Sequence, residues 1–213
     1  MRRTRIKICG LTRVEDVRAA VAAGADACGF ILAASPRQLS VERAAELAAF
    51  VPPPVARVGV FVDADPAFVE AAVRAAGFTA VQFSGSETPE MCAAVSVPVI
   101  KVLAVGTDFG WKAAEPYRGH AAALLLDTYD PQRAGGTSRT FAWQSVGDPP
   151  GWAPLFVAGG LDARNVGELI GAVRPYAVDV SSGVETSPGV KDYTEIEGFC
   201  AAVRAADERG SRR

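Results

Sequence analysis

Histidine is almost missing from this chain: His120 is the single one in 213 residues. Acid–base chemistry here has to rely on other side chains, because the residue that ordinarily titrates near neutrality occurs once. An excess of positive charge is missing too. Lysine and arginine number 22 against 24 aspartates and glutamates, for a net charge of −2. That excludes the basic field needed to hold nucleic acid, while leaving room for a small anion bound by local donors. The cysteines (Cys9, Cys28, Cys92 and Cys200) form no close CxxC pair. A metal site and a disulfide framework are therefore not expected, and a reducing cytoplasm suits the chain. No apolar run is long enough to span a membrane. The basic start "MRRTRIKICG" leads into Thr12, Arg13, Glu15 and Asp16 rather than into the apolar centre of a signal peptide. No GxxxxGK phosphate loop is present either.

What the chain does have is a regular alternation. Short apolar runs at 5–9, 27–32, 56–62, 80–84, 98–104, 122–127, 155–159 and 177–182 read as strands. They are mostly continuous rather than strictly alternating, as strands covered on both faces are. Amphipathic segments lie between them. One opens after Thr12 as N-cap and closes at Gly24; a second starts at Ser40. A third has Asp65 as cap, Pro66 at the first helical position and Gly77 at the end. Two more follow Asp162 and occupy the stretch from Lys191 onward, and fainter helical patterns cover 88–95, 111–118 and 142–148. Eight β-then-α units at a mean period of about 27 residues predict a single-domain (β/α)8 barrel over 1–206. The polar residues 207–213 are expected to fray. An open doubly wound sheet is the other arrangement of such units, but "CGLTRVED" is a poor match to its glycine-rich first turn.

In a barrel of this kind the chemistry sits at the C-terminal ends of the strands. That rule sorts the polar residues. Cys9 ends the first strand and Asp127 the sixth; Gly159 and Gly160 follow the seventh. Asp179 lies within the eighth, and Ser182 and Gly183 close it. His120 precedes the sixth strand and falls on the opposite face. Glycines at the ends of the last two strands let backbone N–H groups approach an anion, so the two loops read as a phosphate seat. Arg37, in the short loop "SPR", has the geometry to clamp a carboxylate. Cys9 carries a thiol that nearby cations would acidify. Asp127 terminates "LLLD", where partial desolvation would raise its pKa and let it hold a proton near neutrality. Asp130 and Pro131 already supply the turn that follows, and "AGGTSRTFAW" reads as a loop able to cover a ligand.

Taken together, "KICGLT", "SPR", "VGVFV", "VQFSG", "LLLDTYDP…GGTSRTF", "AGGL…NV" and "DVSSGVE…PGVKD" resemble phosphoribosylanthranilate isomerase of tryptophan biosynthesis, from Lys7 to about Phe199. The resemblance implies a (β/α)8 barrel catalysing an Amadori rearrangement of a phosphorylated aminoaldose to an aminoketose. It implies Cys9 as general base, Asp127 as general acid and Arg37 as the holder of the anthranilate carboxylate. Gly159, Gly160, Ser182 and Gly183 would seat the phosphate, and Asp179 would line the same pocket. The reaction moves protons only, so no cofactor and no metal are implied, and the partner is a small phosphorylated substrate. Four positions depart from the family pattern: Ser84 replaces a histidine, Ser138-Arg139 replace Gly-Lys, and Ala142 replaces an aspartate. These departures leave open a diverged or dual-substrate sugar-phosphate isomerase on the same barrel; a non-catalytic sugar-phosphate-binding protein is the remaining reading.

Overall fold

Strands with two different apolar faces have to be covered on both, and closure with helices outside does this without leaving a sheet edge. A computed structural model of the chain, describing residues 3–106, 108–128, 143 and 147–211, has that arrangement. The strands β1 (Arg5–Ile8), β2 (Ala27–Ile31), β3 (Ala56–Phe61), β4 (Ala80–Phe83), β5 (Val99–Val105), β6 (Ala123–Thr128), β7 (Leu155–Val157) and β8 (Ala177–Val180) form a closed parallel barrel in sequence order. β1 and β8 close it, with Ile6 opposite Val178 and Lys7 opposite Asp179.

The apolar runs resolve into two faces at a period of two residues. On β6, Leu124 and Leu126 join the core between sheet and helices, whereas Leu125 joins a smaller cluster with Ala27, Val58, Ile100, Ala123 and Ala158. That smaller cluster fills the barrel's interior. The same alternation turns Asp127 inward, one step above Leu125, into the barrel mouth. On β1 it sends Ile6 and Ile8 outward and Lys7 inward, followed by Cys9. Inward positions are small at the base of the barrel and polar at its C-terminal rim.

The helices are α1 (Val14–Ala22), α2 (Val41–Ala48), α3 (Pro66–Ala76), α4 (Pro89–Ala93), α5 (Val166–Val173) and α6 (Tyr193–Ser211). Ser40 caps α2 by accepting from the Arg43 N–H, and Asp65 caps α3 ahead of Pro66, with Gly77 closing it in the left-handed region. Thr12 does not cap α1. Arg13 occupies the cap position, while the Thr12 hydroxyl donates to the Gly189 carbonyl at 2.5 Å. The helix expected after Asp162 starts only at Val166, because Asp162 first closes a turn by accepting from the Arg164 and Asn165 N–H groups. Segment 111–118 forms two 3₁₀ turns rather than a helix. The turn with Asp130 and Pro131, and the expected covering loop 134–143 with Ser138, Arg139 and Ala142, lie outside the described residues except for Trp143.

Two features depart from the eight-unit expectation. A hairpin of β9 (Glu185–Ser187) and β10 (Val190–Lys191) follows β8 and leans over the barrel mouth. The last helix also enters the segment expected to fray: α6 continues to Ser211, and Asp207 accepts from the Thr4 N–H at 2.8 Å and its hydroxyl at 2.7 Å. Those bonds tie the last helix to the start of β1.

Candidate active site

Cys9, Arg37, Asp127, Gly159, Gly160, Asp179, Ser182 and Gly183 all line one cavity of about 910 Å³ at the C-terminal mouth of the barrel. They come from the ends of β1, β2, β6, β7 and β8, so closure alone gathers them. Gln82 and Ser84, inward residues of β4 and its end, complete the wall, and the Gln82 amide donates to the Ser84 hydroxyl at 3.0 Å.

Asp127 lines the cavity with its carboxylate, whose Oδ1 accepts from the Thr128 N–H at 2.8 Å. Burial pushes its pKa up from 3.8 to about 6, with the negative Asp179 adding to the rise and the Thr128 N–H and Lys7 opposing it. A carboxyl at that value exchanges its proton near neutrality.

Cys9 is almost fully buried and faces a different balance. Burial holds its thiol above the ordinary value, and Asp179 adds to that; Lys7 pulls it back, with Lys191 helping. The cations are present, as the sequence suggested, but desolvation outweighs them. Lys7 itself is a fully buried lysine between Ile6 and Ile8, and its ammonium donates to Asp179 Oδ2 at 2.8 Å. Burial disfavours that charge, yet Asp179 and Cys9 together hold Lys7 above the usual lysine range. Among the described residues Asp179 Oδ1 is buried without a hydrogen-bond partner, as are Gln82 Oε1 and Ser181 Oγ. These are unsatisfied polar atoms in the wall of a cavity, where a hydroxyl-bearing ligand would satisfy them.

The loops after β7 and β8 depend on glycine, for its backbone at one position and its small size at another. Gly159 has φ +89°, and a side chain there would collide with Thr128. A methyl on Gly183 would run into the Leu161 carbonyl, so the loops after β7 and β8 pack directly against one another. The Asn165 amide donates to the Gly160 carbonyl at 2.9 Å and steadies the first loop.

Arg37, expected to hold a substrate carboxylate, has a partner within the chain: Nε and Nη2 donate to the two oxygens of Glu185 at 2.8 and 2.6 Å. Glu185 also accepts from Lys191, whose ammonium donates in addition to the Cys9 and Ser181 carbonyls at 2.6 and 3.0 Å. Neither Glu185 nor Lys191 was singled out from the sequence, and Lys7 was quoted without a role. A lysine inside an apolar strand, two positions before the candidate base, was the signal available for Lys7. Glu185 and Lys191 carried none, since the hairpin that aims them was not legible. Among the described residues no group of His, Cys, Asp and Glu has the arrangement of a metal site.

Residues 6–202 match the family described as N-(5′-phosphoribosyl)anthranilate (PRA) isomerase. The N-(5′-phosphoribosyl)anthranilate isomerase of Acidithiobacillus ferrooxidans is 47% identical over 201 residues, covering 94% of this chain and 97% of that protein. The enzyme of the same name from Methylibium petroleiphilum is 48% identical over 209 residues, covering 97% of each. Among solved structures, phosphoribosyl anthranilate isomerase from Thermotoga maritima superposes with a TM-score of 0.85 at 37% identity, covering 95% of this chain and 99% of that one. A phosphoribosyl anthranilate isomerase in complex with reduced 1-(o-carboxyphenylamino)-1-deoxyribulose 5-phosphate superposes with a TM-score of 0.82 at 36% identity, with the same coverage.

Proposed function

The chain belongs to the N-(5′-phosphoribosyl)anthranilate isomerase family, and on that premise we propose how its own residues carry out the Amadori rearrangement of N-(5′-phosphoribosyl)anthranilate to 1-(2-carboxyphenylamino)-1-deoxyribulose 5-phosphate in tryptophan biosynthesis. Asp127 donates its proton to the ribose ring oxygen. The C1–O bond breaks and the nitrogen lone pair completes a protonated imine. Cys9, as thiolate, removes the proton from C2, and those electrons neutralise the imine to give an enolamine. Tautomerisation to the ketone moves the remaining proton to C1. Nothing is gained or lost overall.

The carrying observation is that Cys9 and Asp127, 118 positions apart in sequence, line one cavity from β1 and β6. The environment suits each role. A carboxyl raised to about 6 retains a donatable proton in about one molecule in ten at neutral pH. A buried thiolate beside the Lys7 ammonium is a strong base in a site with little water. The phosphate rests on the loops carrying Gly159, Gly160, Ser182 and Gly183. Asp179, with a free carboxylate oxygen, faces the sugar hydroxyls, and Arg37 takes the anthranilate carboxylate. A cytoplasmic setting belongs to the same reading, and the four free, buried thiols are consistent with it.

The test is turnover of N-(5′-phosphoribosyl)anthranilate, followed by loss of fluorescence, in Cys9→Ala and Asp127→Ala. Each is expected to lose about 10²–10⁴-fold in kcat, with affinity for a product analogue largely retained. Full turnover in either variant removes that residue from the mechanism.

A further inference from the structure

The hairpin β9–β10 does more than close the chain over the barrel. Glu185 receives four hydrogen bonds: two from Arg37, one from Lys191, and one from the Gly189 N–H at 3.2 Å. The carboxylate is nearly buried, with its side chain 4% exposed, and the Arg37 side chain is 11% exposed. Arg37 reaches Glu185 by crossing directly over Gly10. A methyl at Gly10 would press on Arg37 Cδ at 2.5 Å, and Gly10 adopts φ +73°. The guanidinium is therefore held at its stem by Gly10 and at one edge by Glu185.

A guanidinium has two edges able to grip a carboxylate in two-pronged fashion. Glu185 occupies the Nε/Nη2 edge. Among the described residues nothing is bonded to Nη1, so the Nη1/Nη2 edge is available to a second carboxylate. Charge points the same way. Arg37 and Lys191 bring two cations to one anion, Glu185, while the neighbouring Lys7–Asp179 and Arg13–Asp16 pairs are already balanced. One positive charge is left over within the Arg37–Glu185–Lys191 cluster.

We propose that Glu185 is the positioning residue for Arg37, fixing its Nε/Nη2 edge so that the Nη1/Nη2 edge meets the aromatic carboxylate of the substrate, and that this arrangement sets the enzyme's selectivity for a carboxylated aromatic amine. The proposal rests on the assignment of Arg37 to that carboxylate. It makes a prediction whose sign is opposite to simple electrostatics. Removing the negative charge of Glu185 makes the cavity more positive, which by charge alone tightens binding of an anion. If Glu185 acts by positioning, binding weakens.

The experiment measures affinity for two ligands by calorimetry: reduced 1-(o-carboxyphenylamino)-1-deoxyribulose 5-phosphate and its counterpart lacking the ring carboxylate. In Glu185→Gln, affinity for the first is expected to fall on the order of tenfold, with the second unchanged. In turnover, KM for N-(5′-phosphoribosyl)anthranilate rises by more than kcat falls. Glu185→Asp keeps the charge but moves the grip by a methylene, and part of the carboxylate preference is expected to be lost there too; this variant also serves if Glu185→Gln does not fold. Tighter or unchanged binding of the carboxylated ligand, or equal weakening of both ligands, overturns the proposal. Arg37→Ala separates the premises. If it abolishes the carboxylate preference while both Glu185 variants keep it, only the positioning role falls. If Arg37→Ala keeps the preference, the assignment of Arg37 falls first and the proposal with it.

Discussion

Lys7 and Asp179 face each other across the seam that closes the barrel, at matched register on β1 and β8, and form a buried ion pair at 2.8 Å two residues before Cys9. Lys7→Met leaves the Asp179 carboxylate buried without its counter-ion, which is expected to cost about 3–5 kcal/mol. It also removes the strongest influence holding down the Cys9 pKa. The alkaline limb of the kcat/KM profile should therefore move to higher pH in whatever fraction of the variant folds. Denaturant unfolding and a pH–rate profile read the two effects separately, and an unmoved alkaline limb removes Lys7 from any role toward the thiol.

The wild-type pH profile follows from two raised values. Turnover needs Asp127 protonated and Cys9 ionised, and the carboxyl at about 6 loses its proton before the thiol does. The population with both groups in the working state is then small but constant between the two pKa values. We expect a plateau from about pH 6 up to the raised thiol pKa, falling on both sides. A sharp optimum near pH 4, the range of an ordinary carboxyl, contradicts the assignment of Asp127.

Asp127 also links activity to stability. Its pKa is higher folded than unfolded, so the folded state binds more protons between about pH 4 and pH 6 and stability declines across that window as pH rises. Asp127→Asn removes the penalty. It should be more stable than wild type at pH 8 by about 3 kcal/mol, with the advantage gone by about pH 4. Thermal unfolding at both pH values tests this, and equal stability gains at the two would place the effect elsewhere.

Gly183→Ala tests the phosphate seat. Its methyl has to push the Leu161 carbonyl away, which separates the loops after β7 and β8. KM for the phosphorylated substrate is expected to rise on the order of tenfold or more, because a loop displaced by about 1 Å loses aligned donors. Inorganic phosphate should lose its competitive inhibition in the same variant.

The C-terminal helix contributes to folding beyond residue 206. Asp207→Ala removes two hydrogen bonds to Thr4 at the root of β1 and is expected to cost about 1–2 kcal/mol. An unchanged midpoint in urea would mean that the end of α6 is held by its packing alone.

Legibility followed the range of the physics. Strand positions emerged from apolar runs, because a strand between helices and a barrel interior is apolar on both sides. Ser40 and Asp65 were recognisable as caps, since a cap is satisfied within three residues. Thr12 misled for the converse reason: its hydroxyl bonds to Gly189, 177 positions away, and no local pattern encodes that. The inward line of Cys9, Asp127 and Asp179 could be read from strand ends, whereas Gln82 could not. The grip of Glu185 on Arg37 could not, because it depends on a short hairpin whose strands lack any apolar periodicity.

By itself the sequence determined the repeat of β and α units and the set of chemical groups delivered to the C-terminal rim. These are consequences of local geometry and of solvent exclusion at fixed period. The tertiary structure alone decided which of those groups meet. Closing the ring sets Lys7 against Asp179 and Arg37 against Glu185 across 172 and 148 positions of chain. It also removes water from Asp127 and Cys9, and burial and charge pairing at those distances exist only once the barrel has closed.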